Sequence, residues 1–506
     1  MSEKFYITTA IAYVNAAPHI GHAMEFVQAD ALARFHRLKG DDVFFMTGTD
    51  EHGTKLVQAA EKAGKTPQRL ADENAVLFED ICKLLTVDYD YFIRTSNEDH
   101  MRGAQKLWKK LVEAGDIYKD TYEGLYCVGC EAFVLEKDLA SGKCPNHNKE
   151  PEILKEENYF FRLSKYSEQI GDLIKSDKLK IVPDSRKHEI LQVIKDGLRD
   201  VSFSRPRSVL NWGVDVPDDP DQVMYVWCDA LSNYITGVDY ENEGEQFKKY
   251  WPADVHVIGK DILRFHAAIW IGMLLSAKLY LPKRIYVHGF VTCEGKKMSK
   301  TLGNVVDPVE YAQKYGTDAL RYYLLREIPT TEDGDFSQDR FEILYGSELA
   351  NNIGNLVSRV LAMTGKYFDG KVPRAGEGYE LLAQQVDETW VSYEKAIGDF
   401  DLKKALERTA QLADLANKYV EDTKPWVLAK DQPEKLAEVM YNLLEMIRHI
   451  AYLLLPFLPA ASAKILDYLG LMDAKPGYEK IKSWGILKAG SQTTKAEPLF
   501  ARIESE

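Results

Sequence analysis

The 506-residue sequence has little cysteine, no long apolar run and no excess of positive charge. Six cysteines are too few for a disulfide scaffold in a chain of this length, which predicts a reducing compartment. No apolar run approaches the ~20 residues that a membrane helix needs, and we recognise no leader-like segment. The net charge of −14 excludes a protein that coats nucleic acid by bulk attraction, although a local basic surface remains possible. We therefore expect a cytoplasmic protein.

The chain is long enough for several domains, since single hydrophobic cores stop growing at roughly 250–300 residues. Residues 1–115 alternate strand-like and helix-like segments, a βαβ pattern that predicts a Rossmann-like parallel sheet of the α/β class. Strand-like runs return at 256–259 and 285–289, which indicates that an insertion splits the sheet. The predicted segments are a first sheet half (1–115), an insertion (116–225), a second sheet half (226–345) and an all-α bundle (346–506).

The helical bundle is predicted from apolar residues that recur at gaps of three and four between Leu436 and Leu454. Asp431 is predicted to be the N-cap of this helix, and Pro433 suits its first turn. The sequence shows no internal repeat. Little sequence follows this helix, so we expect no appended dimerisation domain and a monomeric protein.

A first motif, Pro18-His19-Ile20-Gly21-His22, lies between the strand-like run 5–10 and a helix-like stretch that begins near Ala23. Unpaired amides and the helix dipole at such a helix start favour an anion. His19 and His22 can donate hydrogen bonds to phosphate oxygens, while Gly21 leaves room for an adenine or ribose. The alternative is a capping turn with surface histidines.

A second motif, Lys297-Met298-Ser299-Lys300-Thr301, follows the glycine-containing segment Glu294-Gly295-Lys296. Its two lysines place two ammonium groups three positions apart, which suits a departing pyrophosphate. Together the two motifs indicate nucleotidyl transfer, in which the protein mainly positions groups and stabilises charge on the phosphates.

Three of the cysteines cluster with one histidine in the predicted insertion. Cys127, Cys130, Cys144 and His147 form two short chelating turns, a closed four-ligand set that suits a structural tetrahedral Zn²⁺. The alternative is three buried thiols and a loop histidine.

Asp50 follows the strand-like run 43–48, at the end of a parallel strand where ligands bind. Its carboxylate either holds an ammonium group or belongs to an ordinary turn, and the adjacent Glu51 and His52 are interpreted as caps of the next helix. Trp227 and Tyr234 are, by composition, either core or pocket residues.

The two phosphate-binding motifs resemble the signatures of class I aminoacyl-tRNA synthetases, and nearly the whole chain is similar to methionyl-tRNA synthetases. Thr301 departs from the serine that is common in the family. The resemblance implies an enzyme that activates L-methionine with ATP and Mg²⁺ and transfers methionyl to the terminal adenosine of tRNA(Met), including the initiator. The alternatives are a small nucleotidylyltransferase with the same histidine clamp and a non-catalytic zinc-knuckle RNA-binding protein.

The resemblance also implies residues for each ligand, with one Zn²⁺ in the insertion. The implied ATP site is His19, Gly21, His22, Gly259, Asp261, Lys297, Ser299 and Lys300, in which His19, His22, Lys297 and Lys300 are catalytic. The implied methionine site is Ile11, Tyr13, Asp50, Trp227, Ala230, Leu231, Tyr234, Ile262 and His266, with Leu231 in place of the proline expected in many relatives. The implied anticodon-binding residues are Asn355, Arg359 and Trp426.

Overall fold

A computed structural model describes residues 3–127, 132–134, 136, 139–145, 148–293, 295–297, 306–472 and 476–502. The strands are β1 (Lys4–Thr9), β2 (Ala12–Tyr13), β3 (Asp42–Asp50), β4 (Tyr91–Arg94), β5 (Ile117–Cys127), β6 (Ala132–Val134), β7 (Glu152–Phe161), β8 (Lys180–Val182), β9 (Val201–Ser202), β10 (Ser204–Pro206), β11 (Gln222–Met224), β12 (Val255–Gly259), β13 (Arg284–His288), β14 (Val291–Cys293), β15 (Lys296–Lys297) and β16 (Gly334–Phe336).

Helices cover the sheet and build the C-terminal part of the chain. The α-helices are α1 (Ile20–Lys39), α2 (Thr54–Lys62), α3 (Pro67–Leu84), α4 (Glu98–Glu113), α5 (Ser167–Lys175), α6 (Asp184–Lys195), α7 (Val226–Leu231), α8 (Asn233–Thr236), α9 (Glu245–Tyr250), α10 (Ile271–Ser276), α11 (Pro308–Tyr315), α12 (Thr317–Arg326), α13 (Gln338–Leu344), α14 (Asn355–Phe368), α15 (Glu380–Gly398), α16 (Leu402–Thr423), α17 (Pro425–Asp431), α18 (Pro433–Leu454), α19 (Pro459–Tyr468) and α20 (Tyr478–Lys482). No helix in the described ranges is long and apolar enough to cross a membrane.

The main sheet is parallel, with the strand order β2-β3-β1-β12-β13-β8 and with β4 also paired to β3. Ile7 of β1 lies between Phe45 of β3 and Val255 of β12, and all three side chains are fully buried. Such continuous burial is expected for parallel strands that helices cover on both faces. The predicted α/β fold with a split parallel sheet is confirmed, and the carboxyl ends of β1, β3 and β12 meet at one edge.

The segment between the two sheet halves forms a second sheet, with the antiparallel order β6-β5-β7-β9. The strand β8 lies within the predicted insertion 116–225, yet Ile181 pairs with Ile285 of β13 at the edge of the main sheet. A strand of three residues has no detectable periodicity, so β8 could not be predicted from the pattern of residues. The exact segment boundaries stay predictions.

The all-α character predicted for the C-terminal part is confirmed. Pro433 opens α18 as predicted, but the prediction that Asp431 is its N-cap is wrong. Asp431 is the last residue of the short helix α17, and Gln432 is the N-cap of α18. Each of these helices begins at a proline, which fixes a helical φ and needs no intrahelical N–H partner at that position.

Candidate active site

A cavity of about 1100 Å³ opens at the carboxyl ends of β1, β3 and β12. Its walls come from the first motif, from the end of β3, from α7 and α8, and from the segment after β12. All predicted ATP-site and methionine-site residues whose side chains the structure describes line this cavity: Ile11, Tyr13, His19, Gly21, His22, Asp50, Trp227, Ala230, Leu231, Tyr234, Gly259, Asp261, Ile262 and His266.

The two histidines of the first motif cap α1 reciprocally. The Gly21 N–H donates to His19 Nδ1 at 3.1 Å, and the His19 N–H donates to His22 Nδ1 at 3.2 Å. Burial, together with the charges of His19 and His288, lowers the pKa of His22 well below its usual value. Because Nδ1 accepts a backbone hydrogen bond in both rings, the ring proton lies on Nε2, so each imidazole can donate to a phosphate oxygen.

Two glycines of the cavity are required by close contacts. A Cβ on Gly21 would lie 2.9 Å from His19 Cε1, so it would push against the ring that caps α1. A Cβ on Gly259 would lie 2.8 Å from Asp261 Oδ1. Gly259 ends β12 and Asp261 lies on the short 3₁₀ turn that follows, so the glycine lets this carboxylate fold back over the strand end.

The second motif lies largely outside the described residues. The backbone of Lys297 forms part of β15, while Ser299, Lys300 and the Lys297 side chain are outside the described part of the structure. Val291, on the strand before the motif, and Val306, after it, both line the cavity. The polypeptide on both flanks of the lysine motif therefore borders the same cavity as His19 and His22.

A second part of the cavity wall, formed by α7, α8 and the segment after β12, is aromatic. Trp227 stacks on Phe265, with ring centroids 3.8 Å apart and planes 8° from parallel. The Tyr234 hydroxyl lies 2.7 Å from His266 Nε2, and His266 Nδ1 lies 2.9 Å from the Ile262 carbonyl oxygen. Burial lowers the pKa of His266 to about 4. The ring is therefore neutral at physiological pH, with Nδ1–H donating to the carbonyl and Nε2 accepting from Tyr234.

Asp50 is the last residue of β3 and borders the cavity with 8% of its surface exposed. The interpretation of Glu51 and His52 as helix caps is wrong. The N-cap of α2 is Gly53 and receives no side-chain cap bond. Glu51 is instead fully buried in an ion pair with Arg94 at 2.7 Å, and His52 Nδ1 lies 2.6 Å from the carboxylate of Asp229.

Sequence reasoning missed several polar residues of the cavity wall, among them Glu25, Asn233 and His288. Glu25 Oε2 and His288 Nε2 are 2.8 Å apart. Burial opposes protonation of His288, but the hydrogen bond and charge of Glu25 outweigh it and raise the pKa of His288. Asn233 Oδ1 is buried with no hydrogen-bond partner in the described part of the chain. Glu25 could have been predicted as a cavity residue, because it lies one helical turn after His22.

The predicted anticodon-binding residues meet on the surface of the bundle. Asn355 and Arg359 lie one turn apart on α14, and Trp426 is the second residue of α17. The Arg359 guanidinium lies over the Trp426 ring at 5.1 Å and pairs with Glu421 at 2.6 Å. Trp426 is 37% exposed, an unusual state for a tryptophan, so a ring face remains available for stacking.

Comparisons with known proteins cover nearly the whole chain. Residues 5–150 and 135–361 match the model of tRNA synthetases class I (M), and residues 371–506 match the anticodon binding domain of methionyl tRNA ligase. The chain is 44% identical to a methionine–tRNA ligase of Thermotoga maritima, over 99% of this chain and 81% of that relative. It is 42% identical to a methionine–tRNA ligase of Brucella suis, over 99% of this chain and 98% of that relative.

The chain belongs to the methionyl-tRNA synthetase family. Among solved structures, Mycobacterium tuberculosis methionyl-tRNA synthetase in complex with methionyl-adenylate has a TM-score of 0.95 and 40% identity, covering 99% of this chain and 100% of that chain. The apo form of the same enzyme has a TM-score of 0.88 and 37% identity. The family also establishes the class I synthetase architecture that the first motif and the parallel sheet indicate.

The metal site that the family resemblance implies is only partly described. Cys127 ends β5 and Cys144 lies in the turn that follows β6, and each is 2% exposed and forms no disulfide. Cys130 and His147 lie outside the described residues. Within the described ranges no group of three or more possible metal ligands comes together. The two described thiols fit a soft metal in their chemistry and burial.

Proposed function

We propose that this protein is a methionine–tRNA ligase. In the first step the carboxylate of L-methionine attacks the α-phosphorus of ATP, which enters as its Mg²⁺ complex, and pyrophosphate leaves. In the second step a ribose hydroxyl of the terminal adenosine of tRNA(Met), the 2′-hydroxyl as in class I enzymes generally, attacks the carbonyl carbon of methionyl-adenylate and releases AMP. The protein needs no nucleophile of its own for either step.

A single observation carries this proposal: one cavity joins a helix start that suits an anion to an aromatic pocket. The first is suited to a triphosphate, because the start of α1 presents backbone N–H groups and two imidazole donors. The second is suited to a flexible, polarizable thioether. Asp50 lies on the wall of this cavity, where a carboxylate can bind the α-ammonium of an amino acid.

At the ATP end, we assign His19 and His22 to the phosphates through their Nε2–H groups. Gly259 and Asp261 suit the ribose, since a carboxylate accepts hydrogen bonds from ribose hydroxyls and the glycine lets that carboxylate lie over the strand end. Lys297, Ser299 and Lys300 are assigned to the leaving pyrophosphate on the strength of the motif and of its two flanks at the cavity. Glu25 and His288 form a buried pair on the cavity wall, and we assign this pair to the ATP end as well.

At the amino-acid end, the neutral Tyr234–His266 pair and the Trp227–Phe265 stack are assigned to the thioether side chain. Ile11, Tyr13, Ala230, Leu231 and Ile262 complete this wall. An apolar pocket discriminates weakly between near-isosteres, at ~1–3 kcal/mol per methylene. The pocket therefore selects methionine mainly by length and by the absence of charge.

Amino-acid-dependent exchange of labelled pyrophosphate into ATP tests the first step directly. We expect strong exchange with L-methionine and much weaker exchange with leucine, whose side chain is shorter. Exchange without any amino acid would favour a nucleotidylyltransferase that uses the same histidine clamp. A folded protein that binds tRNA and shows no exchange would favour the RNA-binding alternative.

We further propose that Asn355, Arg359 and Trp426 read the anticodon of tRNA(Met), because the exposed ring beside an arginine and an asparagine suits unpaired bases. Trp426→Ala should abolish charging of tRNA and leave methionine-dependent exchange unchanged. Tyr280→Ala is the matched control, since Tyr280 is a still more exposed aromatic residue, outside the bundle, and should leave both activities intact. A loss of exchange in Trp426→Ala would contradict the assignment.

We also propose one structural Zn²⁺ held by Cys127, Cys130, Cys144 and His147. The spacing of the four residues and the burial of the two described thiols support it. The purified protein should contain one zinc per chain, and Cys144→Ser should lose it. Cys82→Ser, which changes an equally buried thiol elsewhere, should retain it. Full zinc in Cys144→Ser would contradict this ligand set.

A further inference from the structure

Behind the amino-acid end of the cavity, a buried carboxylate holds two histidines. Asp229 Oδ2 lies 2.6 Å from His52 Nδ1, and Asp229 Oδ1 lies 2.7 Å from His100 Nε2. His100 Nδ1 lies 2.8 Å from the Thr236 hydroxyl. We call Asp229, His52, His100 and Thr236 the Asp229 cluster. Asp229, His52 and His100 are all less than 4% exposed, and none of the cluster lines the cavity.

The Asp229 cluster connects the two walls that face each other across the amino-acid end. His52 follows Asp50 by two residues, immediately after β3. Asp229 lies on α7 between Trp227 and Ala230, which line the cavity. Its contact with His52 therefore joins the strand end that carries the predicted ammonium ligand to the helix that carries the predicted thioether pocket.

A third element fixes the Asp229 cluster from behind. His100 lies in the first turn of α4, and this helix packs very closely against the end of α8. A Cβ on Gly103 would lie 2.5 Å from Thr236 Cγ2, so only glycine permits this approach. Because α4 is held against α8, His100 stays in place. Asp229 can therefore keep its hydrogen bond to His100 only if α7 also stays in place.

The chemistry of the cluster requires a charged carboxylate. Burial opposes ionisation of Asp229, but the charges and hydrogen bonds of His52 and His100 outweigh it and hold its pKa at about 2. A buried charge is costly unless it is paired and hydrogen-bonded, and here each oxygen accepts one short bond. Both oxygens are thus committed, and the orientation of each imidazole is determined.

We propose that Asp229 is a positioning residue for amino-acid binding. Asp229 holds the end of β3, which carries Asp50, and helix α7, which carries Trp227, at a fixed distance from each other. At this distance one bound amino acid can contact both Asp50 and Trp227. This inference rests on the proposed function, because it assumes that the α-ammonium binds at Asp50 and the side chain binds beside Trp227.

The test is Asp229→Asn, which keeps the shape of the side chain but replaces one acceptor oxygen by an NH₂ group that cannot accept from an imidazole N–H. In the pyrophosphate exchange assay the KM for methionine should rise at least 10-fold. The KM for ATP should stay within twofold, because the cluster joins the end of β3 to α7 and α4, whereas His19, His22 and Glu25 lie at the start of α1. An unchanged KM for methionine would overturn the proposal.

A matched control separates positioning from a general loss of stability. Asp116 is also fully buried and accepts hydrogen bonds from Lys165 and Ser276, but it does not border the cavity. Asp116→Asn should lower the thermal unfolding midpoint without changing the KM for methionine. If both variants raised that KM equally, the effect would be structural and the proposal would fail.

A ligand that can bind only one of the two walls gives the decisive comparison. A thioether carboxylic acid without the α-amino group can contact the Trp227 wall but not Asp50, so its inhibition constant should change less than twofold in Asp229→Asn. Equal losses for this compound and for methionine would overturn the proposal. If Asp229→Asn does not fold, His52→Gln, which leaves the His100 contact in place but removes the link to the end of β3, serves for the same comparison with the same criteria.

The two levels of inference fail in different ways. If the wild-type protein shows no methionine-dependent exchange, the proposed function is wrong. If the wild type exchanges normally and the KM for methionine is unchanged in Asp229→Asn, only the positioning role is wrong.

Discussion

At the residue scale, the neutral state of buried histidines decides what each end of the cavity can bind. His22 is a neutral donor because its Nδ1 accepts from the backbone, and burial keeps it from binding a proton. His266 is neutral because burial lowers its pKa to about 4. A charged imidazole at the second position would have to be desolvated beside a thioether that cannot compensate it. The same residue type thus serves an anion at one end and an apolar group at the other.

Tyr234→Phe tests the hydrogen bond that fixes His266. The substitution leaves His266 Nε2 without its donor in a buried position, which costs about 1–3 kcal/mol, so the KM for methionine should rise ~5- to 150-fold. Tyr393→Phe is the matched control, since the hydroxyl of Tyr393 is likewise buried and bonded, to the Leu453 carbonyl in the bundle. The prediction fails if the two variants have the same KM for methionine.

At the scale of elements, helix α1 begins earlier than the apolar pattern of the sequence predicts. The sequence predicts a helix from about Ala23, whereas the helix begins at Ile20 and has His19 as its N-cap. Histidine is not among the preferred N-cap residues, so the pattern of apolar residues gave a later start. The earlier start places His22 in the first turn, where it faces the same side as the N-cap.

Gly289→Ala tests how closely the turn after β13 packs against the chain before β16. A Cβ at Gly289, which lines the cavity, would lie 2.1 Å from the Glu332 carbonyl oxygen, so the backbone must move. We expect a loss of about 1–3 kcal/mol and a raised KM for ATP. Thermal unfolding and exchange kinetics measure the two effects.

The control for that substitution lies on an exposed face of α14. A Cβ at Gly365 meets no atom within 4 Å, so Gly365→Ala should stabilise the protein by about 0.5–1 kcal/mol. Equal midpoints for the Gly289 and Gly365 variants would contradict the packing argument.

Long elements and contiguous motifs were predictable from the sequence, while short elements and distant pairs were not. The strands at 5–10, 256–259 and 285–289 have continuous apolar runs, whereas β8 has three residues and α7 has six. Within the site, the motif residues follow from local spacing. Glu25 pairs with His288 across 263 positions and His52 with Asp229 across 177, and no local pattern indicates such contacts.

At the scale of the whole molecule, stability should depend on pH through the histidines. Burial is the largest cause that lowers the pKa of five of them: His22, His36, His256, His266 and His449. The unfolded chain takes up protons as the pH falls below 6.5, while these native rings resist protonation. Their contribution to stability is therefore complete above pH 6.5 and is lost progressively below it.

The thermal unfolding midpoint should accordingly fall as the pH is lowered from about 6.5 to 5.5, with each fully buried histidine contributing about 1 kcal/mol. His288 acts in the opposite sense, because its pKa is raised and its contribution is lost as the pH rises. His449→Gln, remote from the cavity, should reduce the slope. A midpoint that is constant or that rises over this interval would contradict the prediction.

The sheet domain and the helical bundle are joined by a fully buried arginine. Arg321 pairs with Asp30 of α1 at 2.7 Å, and both side chains are 0% exposed. Its guanidinium also donates to the Leu85 carbonyl after α3 and to the Phe457 carbonyl before α19. One side chain therefore holds the helix that begins at the first motif, the chain after α3 and the bundle together.

Arg321→Met should cost about 1–3 kcal/mol, because it leaves three buried carbonyl oxygens, those of Leu85, Pro456 and Phe457, without this donor, while Asp30 keeps its pair with Arg34. Since the arginine bonds to both domains, its loss should also separate their unfolding into two transitions, seen as different midpoints by fluorescence and by circular dichroism. Arg340→Met removes an exposed pair with Glu327 at 2.7 Å and should cost less than about 1 kcal/mol. If the two variants were equally stable and each unfolded in one step, Arg321 would not couple the domains.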